Sequence, residues 1–344
     1  MIRVTLTNLL GICEQEIDGN MLNRNLNSRN FGLQSRDMVK AAKNALKSVS
    51  ESFGSIDTQT ERFSVFAKWL KENHQIKDLR WIEKHHLVEY AEHLVRAIEH
   101  GILAVATVHN RISAINTVMS IARTDKAVWV APSDHFPNRT GVATVNRAPT
   151  AEQYDRQKVF LNDQTHGDRL QLICDLGKEL GLRFEEATKL NAKTTLRDAE
   201  RIGVIRIADG TKGGCPRSIP IESRHQLRVL RDAAELQGKD RSLIPSNMSY
   251  AEFRNLAYKE VQHSPIRGFH PNRHYYAQAR YEVLIGAKCP LSAGVSHGAA
   301  HHHYLSKELG ISFKEAKILD KTIRTELARE LGHNRPEITN SYVG

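Results

Sequence analysis

Apolar positions along the chain recur mostly at helical spacing, and only one short stretch alternates strand-like. Met38, Ala41, Ala42, Ala45 and Leu46 line one face of a segment that Asp37 is placed to cap. Thr58 with Glu61 has the spacing of a capping box, and Phe63, Phe66, Trp69 and Leu70 follow at three- and four-residue intervals. Leu87, Tyr90, Ala91, Leu94 and Ile98 make a third stripe, stopped by Gly101. Thr107 is placed to cap a fourth, with Val108, Ile112, Ile115 and Met119. Four amphipathic helices with short connections predict a small helical domain over residues 36–124. Residues 1–35, with weak periodicity and several Asn and Gly, read as an N-terminal extension that is ordered only if something docks on it.

Periodicity fails over 125–149, where Pro132, Pro137, Gly141 and Pro149 fall among polar residues, so this stretch reads as an interdomain linker. A second domain over 150–344 opens with helical patterns at 151–162, 167–180 and 184–190. VIRIA at 204–208 and RSIPI at 217–221 are β-prone and flank DGTKGGCP, a glycine-rich hairpin. Helical patterns resume at about 223–236, 249–262 and 271–285. The predicted class is mainly α with a small antiparallel β-sheet (α+β).

Composition agrees with two globular domains, since 40 % of the 344 residues are apolar and 26 % charged. The formal charge of +10 adds a direction, because basic excess on a globular chain points to an anionic partner, most often nucleic acid. The first residues lack a signal-peptide cleavage pattern, and no stretch reaches the roughly 20 apolar residues that span a bilayer. Cys13, Cys174, Cys215 and Cys289 are scattered with no CxxC pair, as expected of free thiols in a reducing compartment. A soluble protein of a bacterial cytoplasm, with no membrane partner, is the expectation.

Four separated segments of the second domain carry residue types suited to attack on a phosphodiester. That chemistry needs positive charge on the non-bridging oxygens, a proton for the leaving oxygen and in-line placement of a nucleophile. Arginine suits the first task, because its planar fork holds two phosphate oxygens and stays charged. GLRFEEATKL places Arg183 at a helix start, and FHPNRHYYAQARY places Arg273 three residues after His270, on the same helical face. Lys212 sits on the glycine-flanked tip GTKGG, and ELGHNRPEITNSYVG supplies His333 and Tyr342. Singly, each has an ordinary structural reading as an ion pair, a solvated lysine or a packed tyrosine. Order and spacing together change that.

Taken together these segments resemble the catalytic domain of the tyrosine recombinase (phage integrase) family. GLRFEEA is similar to the family's first arginine box, with Arg183 as the arginine and Glu186 at its acidic position. TKGGCPRSIPI resembles the hairpin that carries the catalytic lysine, here Lys212. HPNRH matches the HxxRH box at His270, Arg273 and His274, and LGHNRPEITNSY matches the LGH…T..Y ending at His333, Thr339 and Tyr342. The helical domain before them looks like the family's core-binding domain, so the likeness spans roughly 36–344.

The resemblance implies a site-specific recombinase that cuts DNA through a 3′-phosphotyrosyl link at Tyr342, for integration or excision of a mobile element. It implies Arg183 and Arg273 on the phosphate, Lys212 as general acid, His270 as base or hydrogen-bond partner and His333 on the phosphate. Glu186 and His274 would support. Its implied partners are double-stranded DNA at specific sites, a homo-oligomer (a dimer on a site, a tetramer in the synaptic complex) and accessory DNA-bending proteins. No cofactor is implied. Type IB topoisomerase-like relaxation and a DNA-binding regulator without turnover are the alternatives.

Three departures stand out. About 60 residues separate Arg273 from His333, longer than usual in the family, so 286–325 reads as an insertion with a helix of its own. Many relatives continue past the tyrosine into a segment that packs on a neighbouring subunit, whereas this sequence ends two residues after Tyr342. Residues 1–35 match nothing in the family. His297, His301, His302, His303 and Cys289 invite a zinc reading, but three adjacent histidines cannot all converge from one helix, His297 and His301 alone have i, i+4 spacing, and no CxxC or HxxxH partner accompanies them. No metal is expected.

Overall fold

The computed structural model describes residues 25–49 and 53–344. Residues 1–24 of the expected extension, Cys13 among them, lie outside the described residues. The chain divides into two compact units, 1–139 and 140–344, with the division falling inside the stretch read as a linker.

The first unit is built from α1 (Met38–Lys47), α2 (Phe53–His74), α3 (Lys84–Glu99) and α4 (Val105–Arg123). Their apolar stripes meet as the sequence pattern requires, with Phe63, Phe66, Leu70, Leu87, Leu94, Val108, Ile112 and Ile115 fully buried. Each such side chain contributes about 1.5–3 kcal/mol relative to exposure. Asp37 caps α1 by accepting from the Lys40 N–H at 2.7 Å. Two expected caps differ from the pattern. Thr58 lies inside α2, where its hydroxyl donates to the Gly54 carbonyl, and α4 begins at Val105, ahead of Thr107. Two polar-looking stretches also join this core. Phe31 and Leu33 are buried near the start, where Asn30 accepts from the Leu79 N–H and Asp78 accepts from the Asn30 N–H. Val128, Val130 and Phe136 are buried after α4, with Asn116 bonded to both backbone groups of Val130.

The second unit contains α5 (Ala151–Asn162), α6 (Gly167–Leu180), α7 (Phe184–Lys189) and α8 (Ala192–Ile202), then β1 (Val204–Ile207) and β2 (Arg217–Pro220). It continues with α9 (Arg224–Gln237), α10 (Tyr250–Val261), α11 (His270–Ile285), α12 (Pro290–Ala293), α13 (Ala299–Leu309), α14 (Phe313–Glu330) and α15 (Asn340–Val343). The strands pair antiparallel in one two-stranded sheet, Val204 opposite Pro220 and Ile207 opposite Arg217. The mainly helical class with a small antiparallel sheet is therefore as expected. Helix α8 has no counterpart in the apolar pattern, because it buries chiefly Ala192, Thr195 and Ala199 and is otherwise polar. The stretch read as an insertion holds α12, α13 and the first part of α14, and residue 325 lies within α14. Helix α11 packs across α6 and α14 at the centre of the unit, so whatever it carries on its buried face is held rigidly. Among the described residues no helix is long and apolar enough to cross a membrane, and Cys174, Cys215 and Cys289 are free.

Candidate active site

Four backbone devices bring the expected residues together. Helix α6 ends at Gly181, whose positive φ of 62° turns the chain and whose missing side chain leaves room for the Tyr276 ring. The turn delivers Arg183 to the start of α7, where Glu186 accepts from its backbone N–H at 2.7 Å and from its guanidinium at 2.7 Å. The β1–β2 connection turns at Gly210, where a Cβ would lie 2.7 Å from the Glu185 carbonyl oxygen. It then carries Lys212, exposed, on a one-turn 3-10 segment (Lys212–Gly214). Helix α11 begins at His270, with Arg273 and His274 one turn in. Helix α14 ends beside Gly332, and the reversal points His333 back toward α11 before the one-turn helix α15 presents Tyr342.

Arg273 is the largest fully buried side chain of the described residues. So buried a guanidinium is stable only if its donors are used. It donates to the carbonyls of Gly181 and Leu331, and its Nε lies 3.4 Å from the Tyr342 hydroxyl. Burial brings its pKa down to about 10, which leaves it charged at neutral pH. The Tyr342 hydroxyl is also 3.5 Å from His333 Nε2, and its ring lies 5.6 Å from His270 and 4.8 Å from His274, centroid to centroid. Arg183 donates to the Leu331 carbonyl at 3.3 Å. Thus Arg183, Arg273, His270, His274, His333 and Tyr342 converge. Lys212 is not in contact with them, though its charge bears on His333.

The three histidines share an environment that favours the neutral ring. Desolvation by surrounding protein comes first and nearby positive charge adds to it: Arg273, Arg183 and Arg147 at His270, Arg273, Arg183, Arg217 and Lys212 at His333. Both are lowered to about 4, as is His274, where burial and His270 act. A ring-proton NMR titration of the DNA-free protein should therefore show His270 and His333 without a charge change between about pH 5 and 8. A midpoint near 6.5 for either would contradict this arrangement.

The residue that sequence reasoning passed over is Arg217. It sits at the start of β2, in phase with the buried Ile219, so its side chain points inward. There it grips both Glu186 oxygens at 2.5 and 2.7 Å and donates through Nε to the Glu330 carbonyl at 2.7 Å. Glu186, fully buried, thereby joins Arg183 and Arg217, with Arg273 at 3.9 Å. Burial works to raise its carboxyl, but the hydrogen bonds and charges of Arg217 and Arg183 outweigh it and hold it at about 2. Gly332 completes the cage, since a Cβ there would come within 2.9 Å of Arg217 Cδ. The available signal was an arginine on the apolar phase of a short strand.

Arg217→Ala should cost about 3–5 kcal/mol by urea unfolding, because it strands a buried carboxylate and empties its own pocket. The sign with pH follows from the depressed folded-state value. The Glu186 contribution is present above about pH 4.5, the ordinary carboxylate value, and is lost as pH falls through about 2. An unfolding midpoint equal to that of the parent would mean the cage is not a structural unit.

The histidines of 297–303 make their hydrogen bonds elsewhere. His301 is buried with Nε2 on the Lys288 carbonyl at 3.0 Å, His302 Nε2 is 3.4 Å from Asp320, and His297 Nδ1 is 3.0 Å from the Gly344 carbonyl.

Comparison with known proteins adds the following. The family model described as Integrase matches residues 140–279, a span that holds Arg183, Lys212, Arg217, His270 and Arg273. No curated protein matches the sequence. Among solved structures, the fold is similar to the Tn1549 transposon integrase in complex with a circular intermediate DNA, with TM-score 0.52 and 13 % identity over 90 % of this chain and 96 % of that one. The lambda integrase dimer bound to a COC′ core site also matches, at TM-score 0.48 and 14 % identity over 81 % of this chain and 92 % of that one. So does the XerH site-specific recombinase bound to a palindromic difH substrate, at TM-score 0.44 and 19 % identity over 84 % and 82 %. At these identities the likeness is one of fold.

Proposed function

We propose that the chain is a member of the tyrosine recombinase (integrase) family and that Tyr342 is the nucleophile of a DNA strand-transfer reaction at specific recombination sites. The observation that supports this most is the Tyr342 hydroxyl 3.4 Å from the Arg273 guanidinium and 3.5 Å from His333 Nε2. A phenol is a nucleophile toward phosphorus only beside charge that stabilises what it attacks.

In the proposed step the Tyr342 oxygen bonds to the scissile phosphorus and the bond from phosphorus to the 5′ oxygen breaks. The phenolic proton passes to His270, whose neutral ring has a free lone pair, and Lys212 gives a proton to the departing 5′ oxygen. Arg183 and Arg273 hold the non-bridging oxygens, with His333 donating a hydrogen bond. Glu186 and Arg217 position Arg183, and His274 packs against the Tyr342 ring. The phosphotyrosine keeps an ester bond, so a second 5′-hydroxyl attacks it and rejoins DNA without a nucleotide cofactor.

Exchange of both strands between two duplexes breaks four phosphodiesters, and each protomer carries one such tyrosine. A dimer on each site and a tetramer on the paired sites fit that count, with accessory DNA-bending proteins as further partners. Integration or excision of a mobile element is the process that such exchange would serve.

The test is a nicked duplex spanning the recombination site of the element that carries this gene, from which the cut end diffuses away. A denaturing gel should show protein covalently joined to the 3′ end of the cleaved strand. The yield should persist in EDTA, because arginine, lysine and histidine side chains supply the electrostatic stabilisation. Cleavage that stops in EDTA and returns with magnesium or zinc would refute the mechanism.

A further inference from the structure

Helix α15, which presents Tyr342, is a single turn, and an isolated turn has no stability of its own. Its position is set by what grips it. The Ala143 N–H bonds the Asn340 carbonyl at 2.9 Å, and Gln278 Nε2 bonds the Tyr342 carbonyl at 3.1 Å. Besides Arg273 at the tyrosine hydroxyl, a second charged group holds it: Arg324 of α14 donates to Asn340 Oδ1 at 2.9 Å, two residues ahead of the tyrosine.

Arg324 is itself fixed. It is 5 % exposed, and its Nε lies 3.0 Å from each oxygen of Asp320, one turn back on the same helix. Asp320 is 4 % exposed and also accepts from the Tyr281 hydroxyl of α11, with His302 at 3.4 Å and His301 at 3.8 Å on α13. Asp320, His301 and His302 all belong to the 286–325 stretch, which the proposed reaction leaves without a role.

We propose that Arg324, clamped by Asp320, is a positioning residue for the nucleophile. It fixes α15 through Asn340 and so makes the 286–325 stretch part of the machinery that aims Tyr342. The proposal rests on Tyr342 being the nucleophile. A buried Asp–Arg pair has an ordinary role in folding, so the decisive variant leaves that pair untouched. Asn340→Ala does so, because it removes only the group that Arg324 holds, from a half-buried position.

Two reactions separate aiming from folding. The first is single-turnover cleavage of the nicked site at saturating protein, which uses Tyr342. The second is joining of a strand ending in a 3′-(p-nitrophenyl) phosphate to a 5′-hydroxyl strand. There the 5′-hydroxyl oxygen bonds to phosphorus, p-nitrophenolate leaves with the bonding electrons, and the hydroxyl proton goes to solvent. That reaction needs the phosphate site but not the tyrosine.

Asn340→Ala and Arg324→Gln should each slow cleavage by about 10²-fold, the scale of an ångström-sized misplacement of a reacting group. Both should join the p-nitrophenyl strand at the parent rate and bind DNA with unchanged affinity. The double variant should cleave no more slowly than the slower single one, and Asn340→Asp, which still accepts from Arg324, should restore cleavage. Cleavage by Asn340→Ala at the parent rate, or equal loss of both reactions, would overturn the proposal. Failure of the underlying reading looks different: Tyr342→Phe would still form the covalent adduct.

Discussion

Tyr342→Phe eliminates the covalent protein–DNA adduct, a loss of at least about 10⁴-fold, while affinity for the DNA site stays that of the parent. The substitution removes one oxygen and keeps the ring that packs against His270 and His274. What it takes away is the acceptor of the Arg273 Nε hydrogen bond, and Arg273 keeps the Gly181 and Leu331 carbonyls. The fold around the site should therefore survive, and the p-nitrophenyl strand should still be joined. A denaturing gel of the nicked-site reaction reads the adduct, and a gel-shift titration reads affinity. A persistent adduct would move the nucleophile to another tyrosine of the unit, Tyr275, Tyr276 or Tyr304. Tyr276 is the least suited, since it is buried with its hydroxyl on Glu330 at 2.9 Å.

Lys212→Ala should slow cleavage of ordinary DNA by about 10² to 10⁴-fold, the usual contribution of a positioned acid. The 5′ alkoxide is a poor leaving group without a proton. Lys212 is exposed on a turn with positive-φ glycines at 213 and 214, whose flanks are open. The start of the loop passes close to Glu185 at Gly210, where a Cβ would lie 2.7 Å from the Glu185 carbonyl oxygen. In the proposed mechanism the exposed ammonium approaches the leaving oxygen, and none of the Glu186–Arg217 contacts involves Lys212. Replacing the bridging 5′ oxygen by sulfur makes a leaving group that needs no proton. On that substrate Lys212→Ala should regain most of its rate, whereas Arg183→Ala, which weakens binding of the phosphate oxygens, should not. If both substrates are slowed equally by Lys212→Ala, the lysine is a phosphate contact and the acid is another group.

The sequence by itself determined the helical character, the hairpin and most of the candidate site. Apolar spacing gave the stripes of α1, α2, α3 and α4, because a helix that buries one face must repeat near 3.6 residues whatever surrounds it. The boxes around Arg183, Lys212, Arg273 and Tyr342 were legible through their order and spacing and their resemblance to the tyrosine recombinase family. Helix α8 escaped because a face of alanine and threonine carries little apolar signal, and the buried pieces at 31–33 and 128–136 escaped because single large residues have no period.

Tertiary structure alone decided what surrounds those boxes. Nothing local in RSIPI says that Arg217 will meet Glu186, 31 residues earlier in the chain, or that the pair will hold Arg183. Nothing in the 286–325 stretch says that Asp320 and Arg324 will reach Asn340 beside the candidate nucleophile. Charged side chains find partners by proximity in the folded chain, and their cost of burial is met only where the fold brings opposite charge and hydrogen bonds to the same point. Periodicity reports which face is buried; it carries no record of which distant group that face will meet.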